Sequence, residues 1–171
     1  MNTTTITAEH GKQEIVITRE FDYPRELVFK CFVHPELLVQ WNGPKDMEMT
    51  VTYLEAKPGG AYRFTHRDPK GEEFGFHGVY HEVKSPQMII DTFEFEDMPE
   101  HVSLETATFE ELPEGRTRLK TQSVFQSVAD RDGMLEAGMR QGVVESHERL
   151  DDLLDKLSSE EEERETRRDH I

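Results

Sequence analysis

Between Met47 and Phe125 the chain is broken by turns but never changes period: apolar and aromatic residues recur at every second position, with no helical stretch between them. Alternation of this kind marks strands with one buried face. Met47, Met49, Val51 and Tyr53 share one face, opposed by Glu48, Thr50 and Thr52. Lys57-Pro58-Gly59-Gly60 is a turn, after which Tyr62, Phe64 and His66 line up on the next strand. Asp68-Pro69-Lys70-Gly71 reads as a hairpin turn. Phe74, Phe76, Gly78 and Tyr80 then share a face, with His77, Val79 and His81 behind them. Ser85-Pro86 interrupts the pattern, and Met88 to Phe95, carrying Phe93, is the following strand. His101 to Glu110 and Arg116 to Phe125 form a hairpin around Leu112-Pro113-Glu114-Gly115. In its second arm Leu119, Thr121, Ser123 and Phe125 face inward, while Arg118, Lys120 and Gln122 face solvent. Strands that follow one another without crossover helices pair antiparallel, so the class is α+β.

The flanks supply what the sheet packs against. Ile15, Ile17, Arg19 and Phe21 alternate as a first strand. Pro24 then suits a helix start, with Asp22 as a capping residue, and Leu27, Val28, Cys31 and Phe32 recur at helical spacing. Pro35 opens a second short helix through Trp41, which Gly43-Pro44 stops. At the other end Leu135, Met139, Gly142, Val143, Ser146, Leu150, Leu153 and Leu157 mark one stripe of a long helix from about Val128 to Leu157. About seven antiparallel strands with one long C-terminal helix require a sheet that curls around that helix. The expected domain is 13–157, preceded by a flexible segment 1–12 and followed by an acidic, frayed tail 158–171 that includes Glu160 to Glu163.

Charge narrows the partners. Asp and Glu number 36 against 20 Lys and Arg, a net charge of −16. Such a field repels phosphate backbones and anionic bilayers, so neither nucleic acid nor a membrane surface is an expected partner. With the single cysteine, Cys31, no intrachain disulfide can form, which fits a reducing cytoplasm. Met1 to His10 is polar and has no signal-peptide core, and no apolar run is long enough to span a bilayer. Cys31 sits in an apolar helical stretch and reads as core. There is no zinc-binding spacing, no phosphate-cradling glycine loop and no nucleophile elbow. No cofactor and no metal is therefore expected.

Several local patterns sharpen the element order into a resemblance. Ile17-Thr18-Arg19-Glu20-Phe21 leads into Tyr23-Pro24-Arg25-Glu26-Leu27-Val28-Phe29, and Trp41-Asn42-Gly43-Pro44 closes the helical pair. Pro58-Gly59-Gly60-Ala61-Tyr62-Arg63-Phe64, Gly78-Val79-Tyr80 and Gly138-Met139-Arg140-Gln141-Gly142 follow in order. Together they resemble the START-like (SRPBCC) superfamily with its helix-grip fold, and within it the family homologous to the C-terminal domain of the activator of the heat-shock protein 90 ATPase. The resemblance implies a cavity between sheet and long helix, lipophilic ligands in some members, and a chaperone partner in the eukaryotic founders. It supplies no shared catalytic set. Val143 departs from the pattern, which often has Trp after the glycine.

Three readings follow. The leading one is binding of a small lipophilic molecule. Its lining would come from Tyr53, Tyr62, Phe64, Phe74, Phe76 and Tyr80 on consecutive strands, with Met49, Phe93 and His66 on the same faces. Trp41 would cover one end, and Met139 and Val143 would face the sheet from the helix. A chaperone-type interaction module carries less weight, because the eukaryotic activators have an additional N-terminal domain. An enzyme of the cyclase or hydrolase kind carries least: it needs two convergent ionisable groups, and only His66 can be placed in a pocket from sequence. His77 and His81 are about 13 Å apart on one strand, too far to share a metal. Exposed sheet edges could support a homodimer.

Overall fold

The sheet bends because two of its ladders are broken. Register shifts lie between Val51 and Tyr53 and between Tyr80 and Glu82, and an extra residue on one strand bends it and increases its twist. The structure, a computed structural model, describes residues 2–169. Its elements run β1 (Thr5–Thr7), β2 (Glu14–Phe21), α1 (Arg25–Val33), α2 (Pro35–Leu38), β3 (Glu48–Leu54), β4 (Ala61–Arg67), β5 (Glu73–Lys84), β6 (Met88–Phe95), β7 (Val102–Leu112), β8 (Arg116–Val124), α3 (Val128–Glu136) and α4 (Met139–Arg168). One antiparallel sheet has the order β1-β2-β8-β7-β6-β5-β4-β3. The chain meanders from β3 to β8, and β2 then pairs with β8 along its whole length, from Glu14 opposite Val124 to Phe21 opposite Thr117. Helices α1 and α2 bridge the jump from β2 to β3 at the far edge. This is the helix-grip arrangement.

Three local features differ from the sequence expectation, each for a physical reason. The lead-in contains an eighth strand: Thr5 to Thr7 pair with Thr18 to Val16 and cap the β2 edge. Asp22 does not cap α1; its Oδ1 accepts from Asn2 and from Arg116 Nε at 3.0 Å, and Pro24 takes the N-cap position. The single C-terminal helix is two. Gly138 adopts φ 81° between α3 and α4, and an added Cβ there would meet nothing within 4 Å. Its glycine serves the left-handed backbone, not close packing against the sheet. Helix α4 also runs on through the acidic segment to Arg168. There Glu160 and Arg164, and Glu163 and Arg167, stand one turn apart in the favourable order, and Arg167 and Arg168 suit the helix C-terminus.

The concave face packs on α1 and α4. Phe21, Val28, Cys31, Phe109, Leu119, Leu150 and Leu154 are fully or almost fully buried there. Phe29 and Phe32 set their rings edge-on to Phe109 at 5.1 and 5.0 Å. Burial pushes the Cys31 thiol up to about 12, so it behaves as an apolar core residue. A second, smaller cluster of Ile15, Ile17 and Phe125, with Met134, Leu135, Met139 and Val143 against it, does not merge with the first. The space between the two clusters is the site described next.

Candidate functional site

The unfilled space is a cavity of about 390 Å³, lined by members of both apolar clusters. That volume is within the range of small-molecule pockets and far above one water. Its walls are the concave faces of β2 and β4 to β8, the α2 end, and the α3–α4 arm. The Gly138 corner sets Met134 and Met139 over it from the two helices.

Of the residues expected from sequence, Trp41, Tyr62, Phe64, Tyr80, Phe93, Met139 and Val143 line this cavity. Trp41 is 5% exposed; its Nε1 donates to the Cys31 carbonyl at 2.9 Å, and its ring stands 4.8 Å from Phe32. Met49, Tyr53, His66, Phe74 and Phe76 lie elsewhere. Met49 is core, and Tyr53 is 48% exposed beyond the β3 bulge. Phe76 belongs to a run of stacked rings with Phe64, Phe93 and Phe95, and Phe74 meets only the end of that run at Phe95. His66 continues the Phe64 face, but sheet curvature carries it past the cavity to Gly43, where a Cβ would come within 2.7 Å of the imidazole. Burial holds its pKa down to about 4, helped by the nearby Arg149, and its Nε2 has no partner among the described residues.

The polar groups of the cavity are different ones. Asp91 on β6 and Glu105 on β7 are direct cross-strand partners, which puts their Cβ atoms about 5 Å apart on one face. Both line the cavity, among Ile89, Phe93 and Ala107. Burial raises the Asp91 carboxyl to about 8, and the neighbouring Glu105 adds to the rise against a hydrogen bond with Tyr62. Burial likewise raises Glu105 to about 7, opposed by Ser123 and Ser103; Ser103 Oγ donates to Glu105 Oε1 at 3.4 Å. At neutral pH the pair therefore retains protons that exposed carboxyls would have lost. The Tyr62 hydroxyl donates its one proton to the Thr92 carbonyl at 2.5 Å, so toward Asp91 it can act only as an acceptor. Gly78 permits that approach, since a Cβ there would strike both the Thr92 carbonyl and the Tyr62 hydroxyl.

Across the cavity stands His147 of α4, 6% exposed. Its Nδ1 lies 2.8 Å from Thr4 Oγ1, so β1's lead-in orients the ring. Burial, with the charge of Arg19, holds its pKa down to about 4, and the imidazole is neutral at ordinary pH. Two carboxyls and an imidazole thus line the cavity, where sequence reasoning placed only His66 among ionisable groups. The signal for Asp91 was present: Ile89, Asp91 and Phe93 alternate, which sets a carboxyl on an apolar face.

A second ionisable cluster, on the opposite face of the sheet, is structural. Arg63 grips Glu96 with two hydrogen bonds of 2.9 and 2.8 Å, and His77 Nδ1 meets the same carboxylate at 2.9 Å. Arg63, followed by His77, pulls Glu96 down to about 2. Among the described residues no group of three or more His, Cys, Asp or Glu side chains could hold a metal ion, and no helix is long and apolar enough to cross a membrane.

The profile of the family described as "Activator of Hsp90 ATPase homolog 1-like protein" matches residues 22–155. Solved structures share the fold. A protein from Arthrobacter aurescens, determined in solution by NMR, is 25% identical with a TM-score of 0.82, over 89% of this chain and 91% of that one. Ms6760 from Mycobacterium smegmatis is 24% identical with a TM-score of 0.79, over 90% and 98%. A Staphylococcus epidermidis protein is 26% identical with a TM-score of 0.76, over 89% and 94%. No curated protein matches the chain.

Proposed function

The chain belongs to the Activator of Hsp90 ATPase homolog 1-like protein family, and from that premise we propose that it holds a small, largely apolar molecule between sheet and α4. The observation that carries this reading is the cavity of about 390 Å³ left between two apolar clusters, walled mainly by aromatic and aliphatic side chains with Asp91, Glu105 and His147 in a polar minority. Interiors are ordinarily packed without such voids, and an apolar void costs stability that a bound molecule would restore. Val143 is central here: it faces the cavity from α4 at the position where related sequences often carry Trp.

Native mass spectrometry of protein purified gently from its own host, compared with denatured protein, tests the proposal. An added mass that disappears on denaturation supports it and names the ligand class. Binding of an apolar fluorescent probe should be weakened in Val143→Trp, whose larger side chain narrows the cavity from the α4 side. Equal probe binding by the wild type and this variant would refute the assignment. The convergence of Asp91, Glu105 and His147 favours one second reading, general acid–base catalysis on the bound molecule. That reading requires a chemically altered product after incubation with the ligand so identified.

A further inference from the structure

Resting on that reading of the cavity, we infer that its ligand is a lipophilic molecule bearing a basic nitrogen, held as an ammonium by Asp91 and Glu105. The two carboxyls are opposed on neighbouring strands and both face the cavity. No Lys, Arg or His side chain pairs with either among the described residues. The surrounding groups from every adjacent element are neutral hydroxyls: Tyr62 of β4, Tyr80 of β5, Ser103 of β7 and Ser123 of β8. Like carboxyls in an apolar setting resist joint ionisation until a counter-charge arrives. An ammonium supplies that charge and three donors. An anionic ligand would add a like charge beside the pair, and a divalent cation would find too few donors.

A second, independent observation comes from the opposite wall. His147 is 6% exposed and lines the same cavity; Thr4 occupies its Nδ1, and its Nε2 has no partner among the described residues. An apolar molecule spanning the cavity with the ammonium on the sheet would bring its far end to that nitrogen. The net charge of −16 raises the local concentration of cations in the same sense.

The test compares naphthylethylamine, ethylnaphthalene and naphthylpropionate by calorimetry on the full chain. Charge-assisted hydrogen bonds predict that the amine binds wild type about tenfold or more tightly than ethylnaphthalene at about pH 8.5, with the propionate weakest. The isosteric double variant Asp91→Asn/Glu105→Gln should bring amine and hydrocarbon within about twofold. A second measurement needs no variant. Lowering the pH to about 5.5 protonates the pair and should erase the amine's advantage in wild type, leaving ethylnaphthalene unchanged. Over that range Tyr62 and Tyr80 are pushed well above their usual values by burial and stay neutral, and His147 is held down to about 4. Equal affinities for amine and hydrocarbon, both weakened in Val143→Trp, would overturn the ammonium inference and leave the cavity reading standing. If no probe binds, or binding is equal in wild type and Val143→Trp, both fall together.

Discussion

Asp91→Asn should make the protein more stable at alkaline pH and not at acid pH. The carboxyl rises from 3.8 to about 8 on folding. The folded state thus holds its proton where the unfolded state has released it. Stability from this group is complete below the unfolded value and is lost as pH climbs through the folded one. Roughly four pH units at about 1.4 kcal/mol each bound the loss near 6 kcal/mol. The Tyr62 hydroxyl still supports the side chain and an asparagine amide must find its own partners, so about 2 kcal/mol should be recovered at about pH 8.5. At about pH 4.5 both folded proteins carry a neutral side chain there, all but about 1 kcal/mol of the bounded loss is restored, and the difference should shrink toward zero. The assay is urea unfolding of both proteins at the two pH values. Taking the difference between them removes the opposite contribution of His66 and His147, whose folded pKa values lie low and which therefore favour unfolding as the solution is acidified. An identical gap at both pH values, or a gain only in acid, would refute the reasoning.

Three further outcomes are expected. Leu150→Ala removes a fully buried side chain of α4 and should cost about 2–5 kcal/mol, read as a lower denaturation midpoint without loss of slope. Trp41→Phe keeps the ring contact with Phe32 but strands the Cys31 carbonyl, a loss of about 1–2 kcal/mol in thermal melts followed by circular dichroism. Gly138→Ala meets no steric obstacle yet must hold a positive φ; about 1 kcal/mol of destabilisation is expected, with Gly138→Asn closer to wild type.

The fold was largely legible because the period never changes between Met47 and Phe125, and because two short helices and one amphipathic stripe leave the sheet a single partner. The short β1 escaped because Thr5 to Thr7 carries no alternation long enough to read, and the break at Gly138 because an amphipathic stripe looks the same with or without a corner. The site was half legible. Tyr62, Tyr80, Phe93 and Trp41 reach the cavity because face assignment is a local property of a strand or a helix. That His66 overshoots it, and that Asp91 meets Glu105, depend on curvature and on the register of the β6–β7 hairpin. Both are set by bulges and long-range pairing, which no local pattern encodes.

Helix α4 has a consequence for how the molecule moves in solution. From Glu161 to Arg168 its side chains are all exposed. That exposed run is roughly 11 Å long at 1.5 Å per residue, well over half the radius of gyration expected for a chain of this size. A compact body with such a rod tumbles unevenly, faster about the rod than across it. Amide relaxation rates along α4 should then differ from those of strands lying across its axis. The protein should also leave a size-exclusion column somewhat ahead of its 19.9 kDa mass, in the direction of a dimer. A self-association claim for this chain must accordingly come from mass, by light scattering or native spectra, and not from elution volume.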